Sequence, residues 1–182
     1  MIAFKTLFRI LLVLVVPTML ALGAIDQQLV VAGNPRGIVS FEFCGWVGSC
    51  EATLAAWGEP GRQWAMLSLG LDYLFMLEYV GLVCLGLWMA AQRLAPQVRL
   101  AASAPSALPA YGAALRKFAA AAVVAGVCDA AENLCLMAVV HSGQGGALAW
   151  WAALFAAVKF VLIGAALIAL AAGWWRVKKL KI

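Results

Sequence analysis

The chain has 182 residues, of which 66% are hydrophobic and only 12% are charged, and its formal net charge is +5. A soluble domain contains about 25% charged residues and about 45–50% apolar residues, so this composition excludes an ordinary soluble enzyme and a disordered chain. The positive charge does not indicate nucleic-acid binding, because it is not spread over a soluble surface. We therefore predict an integral membrane protein that contacts membrane lipids and has no nucleic-acid partner.

Four apolar stretches are long enough to cross a bilayer, which takes about 20 mostly apolar residues. Tryptophans stand 24 residues apart at the ends of the second and fourth stretches. This is about 36 Å of helix, and Trp prefers both membrane interfaces. The fold class predicted is all-α, a single four-helix transmembrane bundle over residues 1–182. Its spans are approximately 7–25, 64–91, 118–140 and 148–175.

The first stretch also has the features of a cleavable signal peptide. It has a basic start and an apolar run, and it ends with the small residues Ala21, Gly23 and Ala24. We expect an uncleaved helix here, with cleavage as the alternative.

Charges outside the spans predict the orientation. Lys and Arg flank the N-terminus, the 92–117 loop and the tail 176–182, whereas the 26–62 loop has four acids and two arginines. Positively charged segments stay in the cytoplasm, so both termini and the 92–117 loop are expected there, in a bacterial inner (plasma) membrane. The 26–62 loop and the HSGQGG turn are expected outside. The 92–117 loop is predicted to be a flexible connector, because it contains Pro96, Pro105 and Pro109.

The 26–62 outer loop between helices 1 and 2 is too long for a simple turn, so we expect it to be structured. Two β-prone runs, QLVVAG and GIVSFEF, flank a turn sequence and predict a small β-hairpin. A short helix capped by Ser49 is expected to follow. Cys44 and Cys50 would face an oxidising compartment, which predicts a disulfide that staples this partly β loop. A redox-active pair is the alternative, although such pairs usually stand two residues apart.

Ionisable residues inside the spans form the candidate site, since each costs at least about 2.5–3.5 kcal/mol at the bilayer centre. Helix rise places Asp72, Asp129 and Lys159 at similar depths. Lys159 cannot neutralise every acid, and we expect it to pair with Asp129 or Glu78. The predicted polar core, serving as ion pair, proton relay or ligand site, consists of Asp72, Glu78, Tyr79, Asp129, Glu132, Asn133 and Lys159.

We expect no cofactor and no metal. A haem b bundle normally needs paired histidines, and His141 is the single histidine of the chain. Carboxylates without histidine support would make an unusual metal site, although hard cations accept oxygen ligands. Cys84, Cys128 and Cys135 lie within the spans and are interpreted as packing residues.

Three functions fit a buried acidic core with one lysine. The preferred hypothesis is a structural, assembly or complex subunit whose core clasps the helices, with a protein partner; it predicts saturated contacts and no cavity. A proton- or ion-coupled transporter or channel subunit, expected to be a homo-oligomer, predicts a path between the two membrane faces. A membrane enzyme using a carboxyl acid or base on a lipid or isoprenoid predicts a blind pocket that opens sideways to lipid.

Overall fold

The computed structural model describes residues 2–100 and 107–179, with side chains described for 3–95 and 111–179. Four of its helices are long and apolar enough to cross a membrane, which confirms the predicted four-helix architecture. A 3-10 turn at Gln27–Leu29 and one short helix lie between the first two long helices. In chain order the helices are α1 (Ile2–Asp26), α2 (Gly37–Glu42), α3 (Cys50–Leu100), α4 (Ala107–Ser142) and α5 (Gly146–Lys179).

The long helices are packed unequally. α3, α4 and α5 form the compact part of the bundle, whereas α1 packs mainly along α3. Consequently α1 is the least buried of the four long helices. Phe4 near the start of α1 packs on Trp88 late in α3, and Arg176 near the end of α5 lies over the ring of Tyr111 early in α4, so neighbouring helices run antiparallel. The segments 27–49 and 143–145 therefore lie at one end of the bundle, and the start of α1 and the end of α5 lie at the other.

α3 extends beyond the end of its predicted span, and α4 begins before the start of its own. α3 continues through Pro96 to Leu100, and α4 already begins at Ala107, so most of the predicted loop is helical. Pro109 is tolerated because it lies in the first turn of α4, where a missing backbone N–H breaks no helical hydrogen bond. Residues 101–106, which include Pro105, lie outside the described residues.

The connection between α1 and α3 is not partly β, and this prediction was wrong. In the described ranges 2–100 and 107–179 there is no β-strand, and Val31 and Asn34 form one isolated bridge across a tight turn. The run GIVSFE is α2 instead. A side chain of α1 stabilises the first turn of α2, because Asp26 Oδ1 accepts a 2.6 Å hydrogen bond from the N–H of Ile38. Helical spacing also points Phe41 inward, where it is fully buried.

Residues 27–57, which we call the cap, have a small core of their own. The Asn34 side chain donates hydrogen bonds to the carbonyls of Leu29 and Gly37, at 3.1 and 2.8 Å. Trp57 Nε1 also donates to the Leu29 carbonyl, at 2.8 Å. Trp57 packs on Phe41 with ring centroids 4.7 Å apart. These contacts fold the cap onto the end of the bundle.

The start of α3 agrees with the sequence prediction. Ser49 Oγ accepts a 3.2 Å hydrogen bond from the N–H of Ala52, as an N-cap does. This first helical segment ends at Gly58, whose φ of 60° and ψ of −165° interrupt the helix before the membrane span. Glycine adopts this backbone conformation without the steric cost that a Cβ would bring. The predicted short helix is therefore the kinked first part of α3.

The predicted disulfide between Cys44 and Cys50 is confirmed, and it closes the segment that joins α2 to α3. This segment packs tightly on the bundle, because a Cβ added to Gly45 would collide with the backbone of Ala149 in α5. The cap is also joined to the α4–α5 turn, where Glu51 Oε1 accepts a 2.8 Å hydrogen bond from the N–H of Gly145.

Removing this disulfide is expected to loosen the cap without unfolding the four spans. The double variant Cys44→Ser/Cys50→Ser should cost about 2 kcal/mol, because the closed loop is short and the stabilisation grows with loop length. Hydrogen exchange of residues 30–57 should become faster, while exchange in α4 stays unchanged. Cys128→Ser is the control, since Cys128 is a free, half-buried thiol. Unchanged exchange in the cap would contradict this expectation.

Candidate functional site

A single lysine stands at the centre of the polar core. Lys159 on α5 is 7% exposed. Its Nζ lies 2.8 Å from Asp129 Oδ1, 2.8 Å from Glu132 Oε2 and 3.5 Å from Glu42 Oε1. Asp129 accepts a hydrogen bond from this ammonium group, and Glu132 and Glu42 complete its ion pairs. These four residues, the Lys159 cluster, join α5, α4 and α2 at one buried point.

The helix spacing explains why α4 supplies two of these carboxyls. Asp129 and Glu132 stand at i and i+3, which places both on the face that packs against α5. Of the two partners predicted for Lys159, Asp129 is therefore the one that the structure supports. The third member of the stripe, Asn133, turns toward α3, where its Nδ2 donates a 2.7 Å hydrogen bond to Asp72 Oδ2.

α3 contributes hydrogen bonds rather than an ion pair to this core. The Tyr79 hydroxyl donates a 2.7 Å hydrogen bond to Asp129 Oδ2, the oxygen that Lys159 does not bind. Asp72 and Tyr79 stand seven residues apart, so they lie on the same face of α3. The Tyr73 hydroxyl donates to the carbonyl of Ala130, at 3.1 Å, and adds a third link between α3 and α4.

Glu78 does not belong to this core, which corrects the sequence prediction. It is 2% exposed, but its Oε1 accepts a 3.1 Å hydrogen bond from the Thr18 hydroxyl of α1. Within the described part of the chain, no ion pair joins Glu78 to Lys159. Asp72 and Glu78 are about 120° apart around α3, so the first faces α4 while the second faces α1.

Glu42 is the site residue that sequence reasoning missed. It was counted among the charges of a solvent-facing loop, yet α2 turns it inward beside Lys159, and it is 8% exposed. A pattern in the sequence could have found it, because Ile38, Phe41 and Glu42 stand at i, i+3 and i+4 of one helical face.

A cavity of about 490 Å³ lies directly beside the Lys159 cluster. It is bordered by α1, α2, α3, α4 and α5. Its polar lining is formed by Asp26, Glu42, Ser68, Asp72, Tyr79, Asp129, Asn133 and Lys159. Its apolar lining is formed by Met19, Leu22, Gly23, Ile38, Val39, Leu69, Phe75, Val83, Phe160, Ile163 and Leu167. The cavity therefore combines acidic groups with hydrocarbon walls, and its size is typical of small-molecule pockets.

The cavity is closed toward the start of α1 and the end of α5, and it is open at its side. Val83 and Leu167 are its last lining residues in that direction. Beyond them the bundle interior is filled by buried apolar side chains, among them Leu87, Ala90, Leu94, Leu115, Ala122 and Ala169. α2 covers the opposite end. The side between α1 and α5 is the mouth, where Met19, Phe160 and Leu167 are 54%, 43% and 49% exposed.

One carboxyl oxygen at this cavity has no partner. Glu42 Oε2 is buried and accepts no hydrogen bond, although Glu42 Oε1 faces Lys159. Burial raises the pKa of Glu42 to about 7, with the negative charges of Asp129 and Asp72 adding to the increase and Lys159 opposing it. A buried hydrogen-bond acceptor without a donor destabilises the folded protein. A ligand that donates a hydrogen bond to Glu42 Oε2 would therefore remove this cost.

The other polar residues of the spans do not add to this site. Among the described residues, no group of three or more His, Cys, Asp or Glu side chains is placed so that it could hold a metal ion. His141 is exposed at the end of α4. The thiols of Cys84, Cys128 and Cys135 are free, and Cys84 donates a 3.3 Å hydrogen bond to the carbonyl of Ala119.

Comparisons with protein-family models, with curated proteins and with solved structures give no match to this chain. The cavity and the Lys159 cluster are therefore the features of this chain that indicate a function.

Proposed function

We propose that this protein binds a lipophilic molecule with a polar group, taken from the membrane, in the cavity beside Lys159. The observation that carries this proposal is a blind cavity with acidic groups inside and an exposed apolar mouth between α1 and α5. A lipid or isoprenoid could enter through this mouth with its hydrocarbon part against Met19, Phe160 and Leu167. Its polar group would then lie near Asp72 and Asp129.

The cavity favours ligand binding over the other sequence-based hypotheses. A clasp alone predicts saturated contacts and no cavity, whereas about 490 Å³ of space lies beside the cluster. A transport path predicts polar groups that continue toward both faces, whereas Leu87, Leu94 and Leu115 fill the bundle beyond the cavity. The enzyme hypothesis shares the same pocket and would add proton transfer by one of the carboxyls.

The structural or assembly role remains a second candidate, favoured by the Lys159 cluster itself. Its ion pairs join α2, α4 and α5, and Tyr79 connects α3 to the same carboxylate. Buried polar groups of this kind can specify which helices pair. A stoichiometric protein partner, found after release of the protein from its own membrane, would support this candidate.

We also propose a bacterial inner-membrane location with both termini in the cytoplasm. The support is the clustering of Lys and Arg at the end of the bundle that carries the start of α1 and the end of α5. The cap, with its disulfide, then lies on the outer, oxidising side of the membrane.

Filling the cavity mouth tests the binding proposal. Gly23 lines the cavity, and a Cβ built there meets no atom within 4 Å. Gly23→Trp should therefore fold and place its indole in the mouth. We expect native mass spectrometry of the wild-type protein, released in mild detergent, to show one bound lipophilic molecule. In Gly23→Trp its occupancy should fall by about tenfold or more, equivalent to 1.4 kcal/mol of lost affinity.

Gly70→Trp is the matched control, because Gly70 is an exposed α3 residue outside the cavity that also has open space around its Cβ. It should retain the bound molecule at the wild-type level. Absence of a bound lipophile from the wild type, or equal occupancy in both variants, would refute the binding proposal.

A further inference from the structure

We propose that the ligand of this cavity is a cationic amphiphile, a protonated amine attached to a hydrocarbon chain. This inference rests on the proposed binding function and adds the chemical class of the ligand. It follows from the balance of charges, from the balance of donors and acceptors, and from the walls of the cavity.

The cavity has more negative than positive charge. Asp26, Glu42, Asp72 and Asp129 line it, and Lys159 is the one basic residue among its lining residues. The ammonium of Lys159 is already engaged by Asp129, Glu132 and Glu42. A second cation in the cavity would therefore offset carboxyl charge that Lys159 cannot neutralise, whereas a phosphate or carboxylate would be repelled.

Acceptors also exceed free donors in this cavity. The Tyr79 hydroxyl is directed to Asp129, and the Asn133 amide donates to Asp72. Glu42 Oε2 is a buried acceptor with no donor, on a side chain that is nine-tenths buried and lines the cavity. A protonated amine carries up to three donors and can bind several carboxyl oxygens, whereas a neutral alcohol carries one.

The walls fit the rest of such a molecule. Phe75, Tyr79 and Phe160 give the cavity aromatic rings, and a ring face attracts a nearby cation. The exposed side chains at the mouth, Met19 and Leu167, are apolar and suit a hydrocarbon tail that extends toward lipid. No group of three ligating side chains among the described residues is arranged for a metal ion. We therefore infer an organic cation.

Three probes with the same chain test this inference: hexadecylamine, hexadecanol and palmitate. Each is titrated into the purified full-length protein in a neutral detergent at pH 8, with binding followed by native mass spectrometry. An alkylamine is protonated at this pH, as a lysine side chain is. We expect saturable binding of one amine, about tenfold tighter or more than the alcohol, with palmitate weakest.

Conservative variants identify the groups responsible. Asp72→Asn and Glu42→Gln should each reduce the preference for the amine over the alcohol to about threefold or less, equivalent to about 0.7 kcal/mol. Glu59→Gln is the control, because Glu59 is exposed and outside the cavity lining, and it should keep the full preference. The quantity compared is the ratio of amine affinity to alcohol affinity within each variant. A general loss of folded protein lowers both affinities and leaves this ratio unchanged.

Two outcomes overturn the inference. If hexadecanol or palmitate binds as tightly as the amine, the ligand class is wrong while the binding function stands. If none of the three probes binds saturably, the inference also fails, and the binding function is decided separately by the comparison of Gly23→Trp with Gly70→Trp.

Discussion

Lys159→Gln is expected to destabilise the bundle by about 3–5 kcal/mol, the cost of removing one partner from a buried ion pair. The reason is that Glu132, which is fully buried, would lose the 2.8 Å contact with the Lys159 ammonium. Asp129 would keep only its hydrogen bond from Tyr79. Thermal unfolding in detergent, followed by the fluorescence of the tryptophans, measures the loss.

The double variant Lys159→Gln/Glu132→Gln distinguishes an unpaired charge from simple loss of packing. Lys159→Gln leaves the Glu132 carboxylate without its ammonium partner. Because Glu132→Gln removes that unpaired charge, the double variant should be more stable than Lys159→Gln alone. A conservative change at the exposed Lys117, Lys117→Gln, controls for the loss of positive charge and should be neutral. If both substitutions are simply additive, the cluster does not act as a clasp and this explanation is wrong.

Glu42→Gln is expected to make the protein more stable near pH 8 and to leave its stability unchanged near pH 4. The folded-state pKa of Glu42 is raised from 4.5 to about 7, chiefly by burial. Between about pH 4.5 and pH 7, Glu42 is therefore protonated in the folded state and ionised in the unfolded chain. Its contribution to stability is complete below about pH 4.5 and is lost as the pH rises through about 7. At 1.36 kcal/mol per pKa unit, the loss amounts to about 3 kcal/mol.

The measurement compares melting temperatures of wild type and Glu42→Gln from pH 4 to pH 8. Charged groups on several elements face Glu42, namely Asp26, Asp72, Asp129, Glu132 and Lys159. They are the same in both proteins, so the difference between the two curves reports Glu42. Glu59→Gln controls for removal of an exposed carboxyl and should follow the wild type. Parallel curves for wild type and Glu42→Gln would contradict the expected role of burial.

The positions of Glu78 and Glu42 show what helical periodicity predicts in this chain and what it does not. Helical spacing correctly placed Asp129, Glu132 and Asn133 on one stripe, because α4 is a regular helix through these positions. Spacing on α3 fixed the angle between Asp72 and Glu78 but not which neighbour each would meet. The neighbour of Glu78 depends on how α1 packs along α3, because the Thr18 hydroxyl of α1 donates a hydrogen bond to the Glu78 carboxyl.

Sequence patterns alone were sufficient to predict four long apolar helices, the disulfide and most residues of the polar core. These properties depend on local quantities: the length of apolar runs, the spacing of residues on a helix and the nearness of two cysteines. Tertiary contacts account for the helical conformation of GIVSFE, whose first turn donates the N–H of Ile38 to Asp26 of α1. The tertiary structure also decided that Glu42 reaches Lys159 and that a cavity opens beside them, since both depend on how separate helices pack.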